Sequence, residues 1–460
     1  ELNNPPEVAR VLSQPTLRDT MGAELSFMLL DAYFKTNQKD RAAVLGPQLM
    51  QKYPDEAKKS LPLAVLFYDT RNRAKSKEIL EAYTQTHDTS AQAYYYLGKI
   101  RYEEKNWSGA AEALEKAKGY QPDVAGMLGD AYAQSGGGAK AAAAYEDAYN
   151  KSKDPKILDQ LYKIYKQGGD TTGGLQRTLE RLLAVNPNNM DYRAELASIY
   201  FAQGDSKRAE EQLQQILKIN PSHPMANYKL GVILAKKQDW VHAAPLLEIG
   251  TARYPDSVSG WLYLGDAYRA TKRSQQAVIA YKRVQKISPD NLPAAVGRMQ
   301  AARELNMTAD VTEAAAAVIR IDPDNAEAAE VLAAIRFKDR KFAEAAPLYA
   351  KVVAAHPDDK EAWTNYGQSL VELKKTSEAK TALQKAVDLG ASDPHVTTAL
   401  ARIYQQEGNS DKAEGLMQDM LKKDPKNHWA YFGLGQIAAD RNQPGVAEQN
   451  YRKALQMAPG

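Results

Sequence analysis

Cysteine is absent from this chain of 460 residues, which removes disulfides, thiolate metal sites and thiol nucleophiles together. Charge of either sign is scarcely in excess. The 60 lysines and arginines against 57 aspartates and glutamates leave a formal charge of +3, far from the basic field of a dedicated nucleic-acid binder, so nucleic acid is not an expected partner. Long apolar runs are missing too: Ala314 to Ala317 with Val318 and Ile319 is among the longest. That falls well short of the roughly 20 residues that cross a bilayer, and no direct membrane span is expected. Phenylalanine is scarce at 7 residues while tyrosine numbers 26. Neither an initiating methionine nor a signal peptide precedes Glu1, which suggests a processed or cut chain. Freedom from thiols suits an exported bacterial protein, so the expected compartment is the periplasm or cell envelope, with the cytoplasm as the alternative.

What the chain does have is a period. Pro187, Pro221, Pro255, Pro289, Pro323 and Pro357 are each 34 residues apart; Ala391 takes the next place, and Pro425 and Pro459 resume the series. Stepping back from Pro122 by the same interval reaches Asp88 and Pro54, and only the stretch from Pro122 to Pro187, divided by Pro155, is out of step. Thirteen repeats fit between about Gly22 and Pro459. Within them, leucine-glycine pairs recur at Leu97-Gly98, Leu128-Gly129, Leu230-Gly231, Leu264-Gly265 and Leu434-Gly435. An alanine follows 12 places after the glycine position, as at Ala209, Ala243, Ala277, Ala345 and Ala379, and a large apolar residue 4 later, as at Leu213, Leu247, Tyr281 and Tyr349.

Two crossing helices explain this spacing. Small residues let the backbones approach, and large ones at i+3, i+4 and i+7 fill the space beside the crossing. Proline ends one helix because it lacks an amide hydrogen and its ring clashes with the preceding turn. Turn residues such as Gln203-Gly204-Asp205 and Glu407-Gly408-Asn409 separate the two helices of a repeat. The pattern resembles the tetratricopeptide repeat, and the segment Trp261 to Tyr268 with Ala277, Tyr281 and Pro289 meets every element of that signature. The resemblance covers nearly the whole chain and implies an all-α, right-handed superhelical solenoid of tandem tetratricopeptide-repeat helical hairpins. The weakest unit runs from Pro289 to Pro323, where Arg298-Met299 replaces leucine-glycine and Val311 replaces the alanine; less regular packing is expected there.

Gly136-Gly137-Gly138 and Gly168-Gly169 with Gly173-Gly174 bracket the off-phase repeat. They read first as loosened turns and second as a hinge, giving a provisional division into an N-terminal extension or capping helix over 1–21, an N-terminal arm over 22–153, an irregular repeat and candidate hinge over 154–187, and a C-terminal arm over 188–460. Glu7 to Ser13 is expected to form the closing helix, preceded by Pro5 and Pro6. At the other end, Tyr451, Leu455 and Met457 lie on a last helix with nothing behind them. A continuation past Gly460 and some self-association through this uncapped repeat are expected.

No chemistry stands out. His87, His223, His242, His356, His395 and His428 are scattered without metal-ligand spacing, the carboxylates follow exposed helix faces, and no glycine cluster carries a phosphate-loop ending. Catalytic residues, cofactors and metals are not expected, and neither is an enzyme. The basic run Arg71, Arg73, Lys75 and Lys77 reads as a solvated face, with an acidic partner or phosphate as the sharper reading. The resemblance implies that first helices line a groove through their second, fifth, ninth and twelfth positions. Here these gather Phe27, Asp31, Phe34, Tyr68, Tyr95, Lys99 and Tyr102, then Phe201 and Tyr228, then Trp429 and Phe432. No asparagine occupies a ninth position and no lysine a fifth, which argues against the clamp that grips chaperone C-termini; only Asn365 matches the asparagine ladder of the O-linked glucosaminyltransferases. The expected function is a non-catalytic protein-protein interaction scaffold that assembles a multiprotein complex with protein or peptide partners. The alternative is a periplasmic arm of a larger bacterial envelope protein, such as a polysaccharide-export or secretion component.

Overall fold

The computed structural model describes residues 4–18, 20–170 and 173–458; Pro459, the last of the 34-residue series, lies outside the described residues. Among them are 29 helices and no strand. Twenty-six form thirteen consecutive pairs, from Ala23–Lys35 with Lys39–Lys52 to His428–Asp440 with Pro444–Met457. The chain clusters into two compact units, residues 1–212 and 213–460.

Every turn within a pair closes in the same way. One residue adopts the left-handed conformation, as at Arg71 (φ 62°), Lys105 (φ 59°) and Lys272 (φ 61°), and the next amide donates to a carbonyl five residues back: Asn72 N to Phe67 O at 2.7 Å, Arg273 N to Tyr268 O at 2.7 Å. This is the wide-ring C-cap that satisfies the last carbonyls of a helix. Gly136 (φ 83°) and Gly169 (φ 62°) occupy that same seat, so one glycine of each cluster serves an ordinary turn.

Between pairs the proline has a sharper role than stopping a helix. Tyr254, Pro255, Asp256 and Ser257 form a tight turn in which Ser257 N donates to Tyr254 O at 3.1 Å, with proline in the second place that its fixed φ suits. Ser257 then caps the next helix by accepting from Gly260 N at 3.1 Å. The proline carbonyl, left outside both helices, accepts from Trp261 Nε1 at 2.9 Å. Thirty-four residues earlier and three periods later the donors are Asn227 Nδ2 at 2.8 Å and Trp363 Nε1 at 3.1 Å. Where alanine holds this position, at Ala295 and Ala329, the second helix supplies the donor instead, from Arg320 and Lys351. A peptide oxygen outside both helices is thus satisfied by several chemistries at one register.

Packing follows the small-large pairing. A Cβ on Gly98 would come 2.7 Å from the Leu114 side chain, and one on Gly265 would come 2.7 Å from the Tyr281 ring. Tyr281 is fully buried, and its hydroxyl donates to Asp266 at 2.7 Å. Two expectations are corrected. The first helix runs Pro5–Leu12 and includes both prolines, because first-turn amides have no intrahelical acceptor and proline there loses nothing; it buries Val8, Ala9 and Leu12. The repeat after Pro289 is regular, with helices Leu292–Glu304 and Thr308–Ile321 34 residues on from Val258–Ala270 and Ser274–Ile287.

Candidate functional site

In most of the chain the first helices of successive pairs touch one another, as Leu61–Asp69 does Ala91–Glu103 and that helix does Val124–Gln134, whereas neighbouring second helices make no comparable contact among the described residues. Within a unit, the first helices therefore form the inner, closely spaced row.

On this row in the first unit the tyrosines are joined to the following pair. Tyr68 donates to Glu103 at 2.9 Å, Tyr95 to Asp123 at 2.9 Å and Tyr102 to Asp130 at 2.6 Å. The rings form a chain: Tyr68 meets Tyr96 at 5.0 Å, Tyr96 meets Tyr95 at 5.3 Å, and Tyr95 meets Tyr120 at 5.3 Å. Lys99 lies over two of them, 5.9 Å from the Tyr68 centroid and 5.0 Å from that of Tyr95, and Arg73 stacks on Tyr68 at 3.7 Å. Burial, followed by the hydrogen bond to Asp123, pushes the Tyr95 phenol up to about 12. Burial and Asp130 do the same to Tyr102, which also reaches about 12. The Arg73 guanidinium beside Glu103 holds that carboxyl below its usual range.

The rings thus do two things at once. Tyr95 is buried, while Phe27, Phe34, Tyr68 and Tyr102 are half-buried against the core, so the three tyrosines anchor joints and all five residues but Tyr95 leave part of their surface to solvent. Asp31 is also partly exposed, and is paired with Lys35 at 2.7 Å. Phe201 is half-buried, and the Tyr228 hydroxyl bonds Ser257 at 2.7 Å. Trp429 and Phe432 are more open; with His428, Tyr451 and Leu455, itself 78% exposed, they line an apolar cavity of about 470 Å³. Sequence reasoning missed Tyr96 and Tyr120, and the carboxylates at Glu103, Asp123 and Asp130. The signal available for the latter was only an acidic residue 28 to 35 places downstream of each tyrosine.

The basic run is largely consumed internally. Arg73 pairs with Glu103 and Lys77 with Glu104, both at 2.6 Å, and Lys75 lies 5.5 Å over Phe67. Among the described residues, no group of three or more histidines or carboxylates is placed to hold a metal ion, and no helix is long and apolar enough to cross a membrane.

Residues 351–460 match the cytochrome c-type biogenesis protein H TPR domain, residues 176–233 and 228–291 match tetratricopeptide repeats, and residues 16–165 match a tetratricopeptide repeat-like domain. Cellulose synthase operon protein C of Pseudomonas fluorescens (strain SBW25) is 26% identical over 331 residues, covering 65% of this chain and 25% of that protein. Protein O-mannosyl-transferase TMTC3 of Mus musculus is 22% identical over 279 residues, covering 52% of this chain and 28% of its own. The chain spans about a quarter of the length of these curated relatives. Among solved structures, MamA (41-end) of Desulfovibrio magneticus RS-1 aligns with 37% of this chain and 96% of its own, at 20% identity and a TM-score of 0.30. Helix pairs in a 34-residue phase, a glycine seat for the large partner in several of them, and family matches along most of the chain make this protein a member of the tetratricopeptide-repeat family.

Proposed function

We propose that the chain is a non-catalytic scaffold that holds a protein or peptide partner on the inner row of first helices, and that the tyrosine belt of the first unit is its principal contact. One observation carries the reading: Tyr68, Tyr96, Tyr102 and Tyr120 are half-exposed, Tyr68 and Tyr102 held by their hydrogen-bonded joints and Tyr96 and Tyr120 by ring contacts, and Lys99 accompanies them. Rigid aromatic rings give large contact area at small entropic cost, and rings already fixed by hydrogen bonds cost still less to order. Phe201, Tyr228, Trp429 and Phe432 extend the same use of first helices further along the chain, and the open apolar surface around Leu455 supports self-association.

The test is co-purification from the source cells with wild-type chain, a Tyr95→Ala, Tyr102→Ala double variant and a Lys99→Glu variant as baits. The scaffold reading expects a partner retained by wild type and lost or weakened by at least about tenfold in both variants at unchanged helicity, the scale of truncating interface anchors. A partner retained equally by all three would remove the belt from recognition.

A second reading is favoured by the match to the cytochrome c-type biogenesis protein H TPR domain and by the likeness to cellulose synthase operon protein C. On it, the chain is the periplasmic repeat arm of a larger bacterial envelope protein that recruits export or assembly components. Cell fractionation with an antibody to this chain decides: recovery in the periplasmic or envelope fraction supports it, and recovery in the cytosol alone contradicts it.

A further inference from the structure

In the second unit one core position breaks the repeat's apolar rule. Leu230 and Leu264 are followed, at the same register, by Arg298, and the arginine is as buried as the leucines it replaces. Its guanidinium is held by the second helix of its own pair: Nη2 lies 2.5 Å from Asp310 and 2.6 Å from Glu313. From the preceding second helix, Gln285 accepts from Nη1 at 3.1 Å and Lys282 reaches Asp310 at 2.6 Å. Charged groups on the other packed helices are engaged elsewhere. Glu327 accepts from Gln300 and lies near Arg303, and Asp266 accepts from Tyr281.

The cluster is asymmetric. Arg298 keeps 5% of its side chain exposed and Asp310 14%, but Glu313 is 70% exposed. Every other lysine or arginine in the described ion pairs retains at least 21%. Nε of Arg298 has no hydrogen-bond partner, and apart from Asp310 the guanidinium has only the neutral Gln285 and the largely exposed Glu313 as acceptors. A buried pair of this kind adds little net stability, but breaking it leaves a buried guanidinium whose one remaining counter-charge, Glu313, is 70% exposed and screened by solvent, which is unfavourable.

We propose that Arg298 and Asp310 form a buried ionic latch that keeps the pair Leu292–Ile321 closed only while Asp310 is charged, making this pair the place at which the second unit opens first. This conformational device is independent of the binding face proposed above. Lys282 and Arg298 hold the Asp310 carboxyl below its usual range. The closed state is therefore fully stabilised above the ordinary carboxylate range and loses that contribution as pH falls through the depressed value.

The experiment is hydrogen exchange followed by mass spectrometry on the full chain, comparing peptides within 292–321 with peptides within 258–287. At neutral pH, Asp310→Asn should speed exchange in 292–321 by at least about tenfold and leave 258–287 nearly unchanged. Arg298→Met, which removes the charge with little change of volume, should match or slow the wild-type rate. The double variant should return to within about threefold of wild type, because no charge is then stranded. On acidification, wild-type 292–321 should lose protection before 258–287, and the Arg298→Met variant should lose that order. Faster exchange in Arg298→Met, or a double variant as fast as Asp310→Asn, overturns the latch; if Asp310→Asn fails to fold, Arg298→Met decides alone by the same criterion.

Discussion

In the pair Val258–Ala270 and Ser274–Ile287, the first helix carries Gly265 and the second carries Tyr281, whose ring fills the space the glycine leaves. One period later, the first helix carries Met299 and the second carries Ala315, both fully buried. The large and small partners have changed places. Both pairs nevertheless have helices of 13 and 14 residues, a side-chain cap at Ser257 or Asn291, and a left-handed turn residue at Lys272 or Asn306. The comparison teaches that the frame is set by caps and turns, while the core demands a total volume rather than a particular residue on a particular helix.

The largest effects should come from breaking that volume exchange. Met299→Ala leaves two small residues facing each other and should cost about 3 kcal/mol, whereas adding Ala315→Leu should recover at least half of it; Gly265→Val, which overfills the consensus pair, should cost about 2–3 kcal/mol. Denaturant titration of the single and double variants measures the coupling. Strict additivity of Met299→Ala and Ala315→Leu would contradict the exchange.

Smaller effects test the shared frame. Asn291→Ala and Asn325→Ala should each cost about 1 kcal/mol, equally in the pair that begins at Leu292 and the next one, since each removes one cap acceptor from an otherwise similar helix start. A cost in one pair more than about twice that in the other, read by the same titration, would mean that the caps are not interchangeable.

Smallest of all is the turn. Lys272→Gly should raise stability by roughly 0.5 kcal/mol, because the left-handed strain it relieves slightly exceeds the added chain entropy, while Asn306→Gly should change little, asparagine tolerating that conformation. Thermal melts of the two variants should shift unequally, with Lys272→Gly the higher.

The helix pairs were legible in the sequence because alanine, leucine-glycine and proline repeat in phase, and phase survives individual substitutions. Turn chemistry was less so. Arg71, Lys105 and Lys272 carry no mark of a left-handed seat that glycine holds elsewhere, and the proline carbonyl's donors range from asparagine to tryptophan. The exchange of Gly265 and Tyr281 for Met299 and Ala315 reads in sequence as two lost consensus residues; the full burial of both Met299 and Ala315 is what marks them as one compensated change. On the candidate face, the aromatic row could be picked out by family register. Its dual role could not, because the carboxylates that fix Tyr68, Tyr95 and Tyr102 sit on the next pair.

The most direct test of the scaffold account is hydroxyl-radical footprinting of the first unit in the intact chain, free and with its co-purified partner. The account predicts protection at Tyr68, Tyr96 and Tyr102 on the first helices, with exposed second-helix positions such as Val44 unchanged. Protection confined to the second helices, with the tyrosines as reactive as in the free chain, would contradict it.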